Sequence, residues 1–288
     1  MQSGFVPAIS PQWYDGFVHD TKEQQITFLK TLWSYYQAYG RHDLPWRVAE
    51  PDGSFDPYKI LVSELMLQQT QVARVVPKYA AFLQHFPSVE CLAAAPLGDV
   101  LCVWQGLGYN RRAKFLWHAA KAISTAGEFP VSTAGLMKLP GVGANTAGAI
   151  MAYAYNKPAV FVETNIRTVY IHHFAQAGEI VSDDFVRAAL TQTLDHEHPR
   201  EFYWALMDYG THLKSRIRNI AQSKHYTKQS KFHGSKRQIR GTVIRLLSEK
   251  PMTLAELRRM IADDRCEIVL EELLTEGLIR YKPPQYTL

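Results

Sequence analysis

Apolar positions along the chain recur at helical spacing, and strict alternation of apolar and polar residues is rare. In residues 22–38, Ile26, Leu29, Leu32, Trp33 and Tyr36 fall on one stripe, which predicts an amphipathic helix. Further helix-length patterns cover 58–72, 73–85, 97–104, 110–125, 145–155, 184–194 and 199–210. Their connections are short and carry Gly or Pro, as at Asp52-Gly53, Pro87, Gly106-Leu107-Gly108, Pro130 and Pro140-Gly141. The polar run 223–236 reads as a basic linker. Three more helical patterns follow, 237–247, 253–262 and 266–276, then a tail able to form a hairpin around Pro283-Pro284. The expected fold class is therefore all-α, with a winged-helix-like module at 237–288.

With 288 residues, 47% hydrophobic and 20% charged, the chain can bury a real core, which excludes disorder, collagen and coiled coil. No apolar run approaches the ~18–20 residues that span a bilayer. The start lacks the basic and apolar regions of a signal peptide. Cys91, Cys102 and Cys266 are widely spaced, which points away from disulfides and four-cysteine metal sites and toward a reducing, intracellular setting. The net charge of +5 hides a marked asymmetry. Residues 209–248 carry ten Lys/Arg and no Asp or Glu, whereas the remaining 248 residues have a net charge of −5. A basic segment on an acidic body is a footprint for a polyanion, although a solvated basic linker would look the same.

Three segments carry chemistry. In 60–72, Glu64, Gln68 and Gln71 stand at i, i+4 and i+7 of an otherwise apolar helix, a polar line on one face. A carboxylate among Leu61, Val62, Leu65 and Leu67 should have a raised pKa and could serve as a general acid, or as a boundary ion-pair partner. In 139–147, Gly141 and Gly143 let a turn bring backbone N–H groups and a helix N-terminus to a phosphate, or simply join two helices. In 161–167, Glu163 precedes a helix that starts near Asn165, where it can line a pocket or cap the helix.

Together these segments resemble the helix-hairpin-helix DNA glycosylases. LPWR (44–47), DPYKILVSELMLQQTQV (56–72), WQGLGYNRRA (104–113) and LPGVGANTAGAI (139–150) are similar to the adenine mismatch glycosylases of MutY type, and the resemblance covers roughly 22–215. It implies that Glu64 protonates adenine N7, since adenine is a poor leaving group unless protonated. It implies a second carboxylate that stabilises the oxocarbenium-like sugar. The family usually shows Asp-Gly-Asn at that point, and here the tripeptide is Glu163-Thr164-Asn165. Glu is one methylene longer, and a shift of ~1 Å can cost roughly 100-fold in rate. Retention of Glu64, Trp46, Arg47 and the Gln68-Gln69-Thr70 element favours a pocket rebuilt around Glu163 over a changed substrate or a non-cleaving binder. Asn165 would orient the water. Relatives resembling endonuclease III carry a Schiff-base Lys where this chain has Asn145, which implies a monofunctional glycosylase.

The resemblance further implies that Trp46, Arg47, Asn145 and Asp208 line the base pocket. Gln69 and Tyr109 would wedge into the duplex as the base is extruded, with Gln68 and Thr70 also on DNA. Gly141, Val142, Gly143 and Ala144 would hold a phosphate. Lys236, Arg237 and Arg240 are expected to grip the backbone, while the acidic helix 266–276 packs on the body or meets a partner. Residues 211–230 contain no cysteine, so the family's iron–sulfur loop is not expected, nor is any other cofactor or metal. The roughly 55 C-terminal residues are too few for the Nudix-like domain that reads 8-oxoguanine. The expected organisation is a helical domain of 20–49 plus 160–222, a six-helix domain of 50–160, the linker and the module. The site is expected in the cleft between the helical domains, with Glu64 facing Glu163. The expected partner is double-stranded DNA holding a mismatch or damaged base, met by a monomer in the cytoplasm near the nucleoid, with no membrane. The expected reaction releases adenine from mispairs with guanine or 8-oxoguanine. The alternatives are another base (hypoxanthine, or thymine or uracil opposite guanine) and a non-catalytic mismatch binder.

Overall fold

The computed structural model describes residues 21–176, 178–217, 219–226 and 231–288. The first twenty residues, read above for a leader, lie outside this set, as do 227–230 of the basic stretch. In chain order the helices are α1 (Lys22–Tyr39), α2 (Pro57–Leu67), α3 (Val72–His85), α4 (Val89–Ala94), α5 (Leu97–Trp104), α6 (Arg111–Ala126) and α7 (Thr133–Leu136). They continue with α8 (Ala144–Tyr153), α9 (Thr164–Phe174), α10 (Asp183–Thr193), α11 (Pro199–Arg216), α12 (Lys236–Glu249), α13 (Leu254–Ile261) and α14 (Cys266–Thr275). Short strands β1 (Met252–Thr253), β2 (Arg280–Lys282) and β3 (Gln285–Thr287) follow, and among the described residues the fold is all-α apart from this small sheet.

The chain divides into two compact units. One comprises α1, α9, α10 and α11 from Phe202 onward. Thr21 caps α1 by accepting from the Gln24 N–H, and the helix buries Phe28, Leu32 and Tyr36. This face differs from the expected stripe: Ile26 is half exposed, because it stands about 200° of helical rotation from Phe28. Phe28 meets Tyr170 at 5.4 Å, and Tyr170 stacks on Phe174. Arg167 of α9 forms a two-pronged ion pair with Asp183 of α10, at 2.6 and 2.8 Å. The segment after α11 docks through amide hydrogen bonds. Asn219 donates to the Thr168 carbonyl, Gln222 donates to those of Gln176 and Glu179, and Ser223 pairs with Val181. The expected linker therefore begins as a docked strand-like edge.

The other unit comprises Arg41–Phe161, Asp195–Glu201 and the C-terminal elements. Asp56 caps α2, with Pro57 in its first turn. Ile60, Leu61, Val62, Leu65 and Met66 of α2 are buried, as is α8 from Thr146 to Tyr153. α8 passes so close to Phe161 that a Cβ on Gly148 would lie 2.9 Å from its ring. The C-terminal elements form the expected winged-helix-like module. A capping box of Thr253 and Glu256 starts α13, and the sheet runs β1-β3-β2, antiparallel throughout, with Tyr281 opposite Tyr286. This module is joined to the body: Gln105 donates to the Ser248 hydroxyl at 2.5 Å, Lys114 donates to the Glu276 carbonyl, and Leu288 lies against Gly98.

Candidate functional site

The predicted polar line Glu64–Gln68–Gln71 does not form, because α2 ends at Leu67. Gln69 adopts a left-handed conformation (φ 54°), and Gln71 becomes the N-cap of α3. Glu64 stays on α2, half-buried, one turn before its end. Gln68 turns toward the hairpin helix, its amide 3.5 Å from the Thr146 hydroxyl.

A second left-handed residue, Tyr109 (φ 48°), sits in the turn between α5 and α6. Non-glycine residues rarely hold such angles unless their surroundings impose them. Here the constraint comes from one buried side chain, Arg112. Its Nη1 donates to the carbonyls of Leu65, Met66 and Gln68 at 2.6–2.8 Å. Its Nη2 donates to the Thr70 hydroxyl and the carbonyls of Leu107 and Gly108 at 3.0–3.1 Å. These are the acceptors left open where α2 and α5 end, so one guanidinium fixes both turns. Burial lowers its pKa to about 10, which leaves it charged near neutrality. Sequence reasoning missed Arg112, although a signal existed. It stands in line with the buried Leu116, Ala119 and Ile123 of α6, a cation on an apolar face.

The hairpin joins α7 to α8. Gly141 has φ 79°, and a Cβ there would lie 2.6 Å from Phe115. Val142 is buried, while Gly141, Gly143 and Ala144 are exposed. Gly143 provides no side-chain cap, so the first-turn N–H groups of α8 have no capping oxygen from it. Asn145 is half-buried in that first turn.

The other unit carries Glu163, Asn165 and Asp208. Glu163 occupies the N-cap position of α9, yet its side chain makes no capping bond. Desolvation pushes its pKa upward against the opposing pull of Arg167 one turn on. Asn165 presses on α11 where Gly210 leaves room, since a Cβ on Gly210 would lie 2.5 Å from the Asn165 carbonyl oxygen. Its amide also reaches Met207 Sδ at 3.7 Å, and Asp208, the next residue of α11, is buried. The structure thus groups Glu163, Asn165 and Asp208 in one unit and Glu64, Gln68, Gln69, Thr70, Tyr109 and the hairpin in the other.

Trp46 and Arg47 lie in a buried 3₁₀ turn, with Trp46 edge-on to Tyr79 at 5.5 Å. Lys236 pairs with Glu272, and Arg240 pairs with Glu272 and Glu276. Three acids of the 266–276 segment are thereby engaged within the module, Glu267 by Arg258. Arg237 instead donates to the Tyr109 hydroxyl. A cavity of about 520 Å³ opens here, lined by Gln69, Tyr109, Phe115, Arg237, Arg240 and Glu276 among others. Cys91 and Cys102 are exposed and Cys266 is buried in the module, far along the chain from 211–230. The residues after α11 therefore do not fit a four-thiolate iron–sulfur cluster.

The profile of the HhH-GPD superfamily base excision DNA repair proteins matches residues 62–193. The chain is similar to the adenine DNA glycosylase of Mycolicibacterium smegmatis, 34% identical over 274 residues, which cover 86% of this chain and 91% of that one. It is similar to the adenine DNA glycosylase of Buchnera aphidicola subsp. Baizongia pistaciae, 35% identical over 191 residues, 64% of this chain and 52% of that one. The match thus spans about half the length of the Buchnera relative. A thermostable thymine-DNA glycosylase has a similar structure, with a TM-score of 0.58 and 26% identity over 65% of this chain and 86% of that chain. Endonuclease III, trapped covalently on DNA, shares the fold at a TM-score of 0.55 and 20% identity, over 67% of this chain and 87% of that one. The hairpin and these similarities agree: the chain belongs to the HhH-GPD superfamily of base excision DNA repair proteins, in the branch of the adenine DNA glycosylases.

Proposed function

We propose that this protein hydrolyses the N-glycosidic bond of adenine mispaired with guanine or 8-oxoguanine in double-stranded DNA, as a monofunctional enzyme acting as a monomer. Glu64 gives a proton to adenine N7, the C1′–N9 bond breaks, and its electron pair leaves with the base. The Glu163 carboxylate balances the positive charge on the sugar. Water held by Asn165 adds to C1′ and passes its proton to the Glu64 carboxylate, which restores the acid and leaves an abasic site. Trp46, Arg47, Asn145 and Asp208 bound the base. Gln69 and Tyr109, with Gln68 and Thr70, enter the duplex, the 141–144 backbone holds a phosphate, and Lys236 and Arg240 reach other phosphates by giving up their glutamate partners. No helix among the described residues is long and apolar enough to cross a membrane, and we place the work in the cytoplasm, at the nucleoid.

The observation that carries this reading is Glu163, a desolvated carboxylate at a helix start that it does not cap. A pure capping residue would bond the helix N–H groups. Duplexes with single A:8-oxoG, A:G, T:G, U:G and I:T pairs test the substrate, with release of adenine expected. Likeness to the thymine-DNA glycosylase structure makes thymine opposite guanine the second reading, and preferential cutting of T:G would establish it instead. With Asn145 in the Schiff-base position, borohydride should trap little adduct. Efficient trapping would show that a lysine attacks the sugar.

A further inference from the structure

Tyr109 links two parts of its unit that the sequence treats separately. Arg112 fixes its turn from the body. Arg237, at the second position of α12, donates a hydrogen bond to its hydroxyl. Both guanidinium carbons also lie over the ring, Arg112 at 5.5 Å and Arg237 at 5.4 Å from the centroid. α12 is itself held on the body by the Gln105–Ser248 hydrogen bond. Its neighbouring cations Lys236 and Arg240 are paired instead with Glu272 and Glu276.

We propose that Arg237 is a positioning residue for base extrusion: it sets the angle of the Tyr109 ring, which makes the C-terminal module part of the wedge. The proposal rests on the reading of Tyr109 as a wedge. A tyrosine on a half-exposed turn samples several rotamers, and each insertion would have to select one. A guanidinium that bonds the hydroxyl and covers the ring makes that selection in advance. Lysine, a point charge on a flexible stem, cannot do both. The ion pairs of Lys236 and Arg240 leave Arg237 as the member of the trio aimed at the duplex-entering side chain.

The test uses the full chain and an A:8-oxoG duplex with 2-aminopurine beside the target adenine. Three quantities are read: the fluorescence rise on extrusion, the single-turnover rate, and the salt dependence of binding. Arg237→Gln should lower the extrusion signal and the rate by on the order of tenfold, with the salt slope unchanged. Arg237→Lys should not restore them, and Tyr109→Phe combined with Arg237→Gln should be less than additive. A salt slope reduced by about one with normal extrusion would mark Arg237 as a phosphate contact and overturn the proposal. Full recovery in Arg237→Lys would overturn it too. Tyr109→Ala separates the two levels. Normal extrusion in that variant removes the wedge reading itself, whereas a defect there beside a normal Arg237→Gln removes only the role of Arg237.

Discussion

Glu163 shows most directly how one side chain can oppose folding and serve chemistry. Its pKa is raised because burial disfavours the anion more than Arg167 favours it. The folded state therefore binds this proton more tightly than the unfolded chain, so ionising it in the folded protein costs stability that returns as pH falls through the raised value. Glu163→Gln should abolish excision yet raise the melting temperature at pH 7–8, with the gain shrinking on acidification. A melting temperature that falls at every pH would show that the carboxylate is structurally required. The same shift should move the acid limb of the pH–rate profile above that of an ordinary carboxylate, since the proposed mechanism uses the anion. That mechanism uses Glu64 as an acid. Glu64→Gln should lose ~10²–10⁴-fold in single-turnover rate, with DNA affinity held within a few-fold in an equilibrium titration.

At the scale of elements, the turns after α2 and α5 hang on Arg112. Arg112→Lys would keep the charge but lose the fork, leaving buried carbonyls unsatisfied at ~1–3 kcal/mol each. Chemical denaturation should show a loss of about 2–4 kcal/mol in total, and excision should fall further than stability alone explains. Gly141→Ala should weaken duplex binding and cost about 1–3 kcal/mol, from backbone strain and the clash with Phe115. Helical spacing made most helices and the winged-helix outline legible. It overran α2 by several residues, because a periodicity cannot register a single left-handed residue such as Gln69. α4 and α7 were too short to show a period. The hairpin, Glu64 and Glu163 were visible as residues. That Glu163 leaves α9 uncapped, and that Lys236 and Arg240 spend their charge on α14, depend on contacts across tens of residues that local pattern does not encode.

At the scale of the molecule, the unit that holds Glu163 closes without cysteine. Asn219 and Gln222 tie the segment after α11 to carbonyls, and an aromatic group around His173 sits in its core. Burial, helped by His172, lowers the His173 pKa to about 4, and its Nε2 lies 3.1 Å from the Tyr209 hydroxyl. A histidine depressed on folding contributes stability present above its unfolded pKa of about 6.5 and lost as pH falls toward 4. The melting temperature should accordingly drop over that window, and less so in His173→Phe. Equal drops would place the acid sensitivity elsewhere. Purified protein should also be colourless, with no stoichiometric iron, and a visible charge-transfer band would contradict the reading of 211–230.

The left-handed turns at Gln69 and Tyr109 are already set before any DNA arrives. Searching a genome with a probe that never retracts is different from searching with one that must be extended at each stop. If Gln69 and Tyr109 are the wedge, no time would be lost in deployment, and every base pair would be tested by the same push. Well-stacked pairs would return that push and release the protein, whereas a weakened mispair would give way. Discrimination would then begin as a difference in how long the protein lingers, with the pocket chemistry acting only on the pairs that yield.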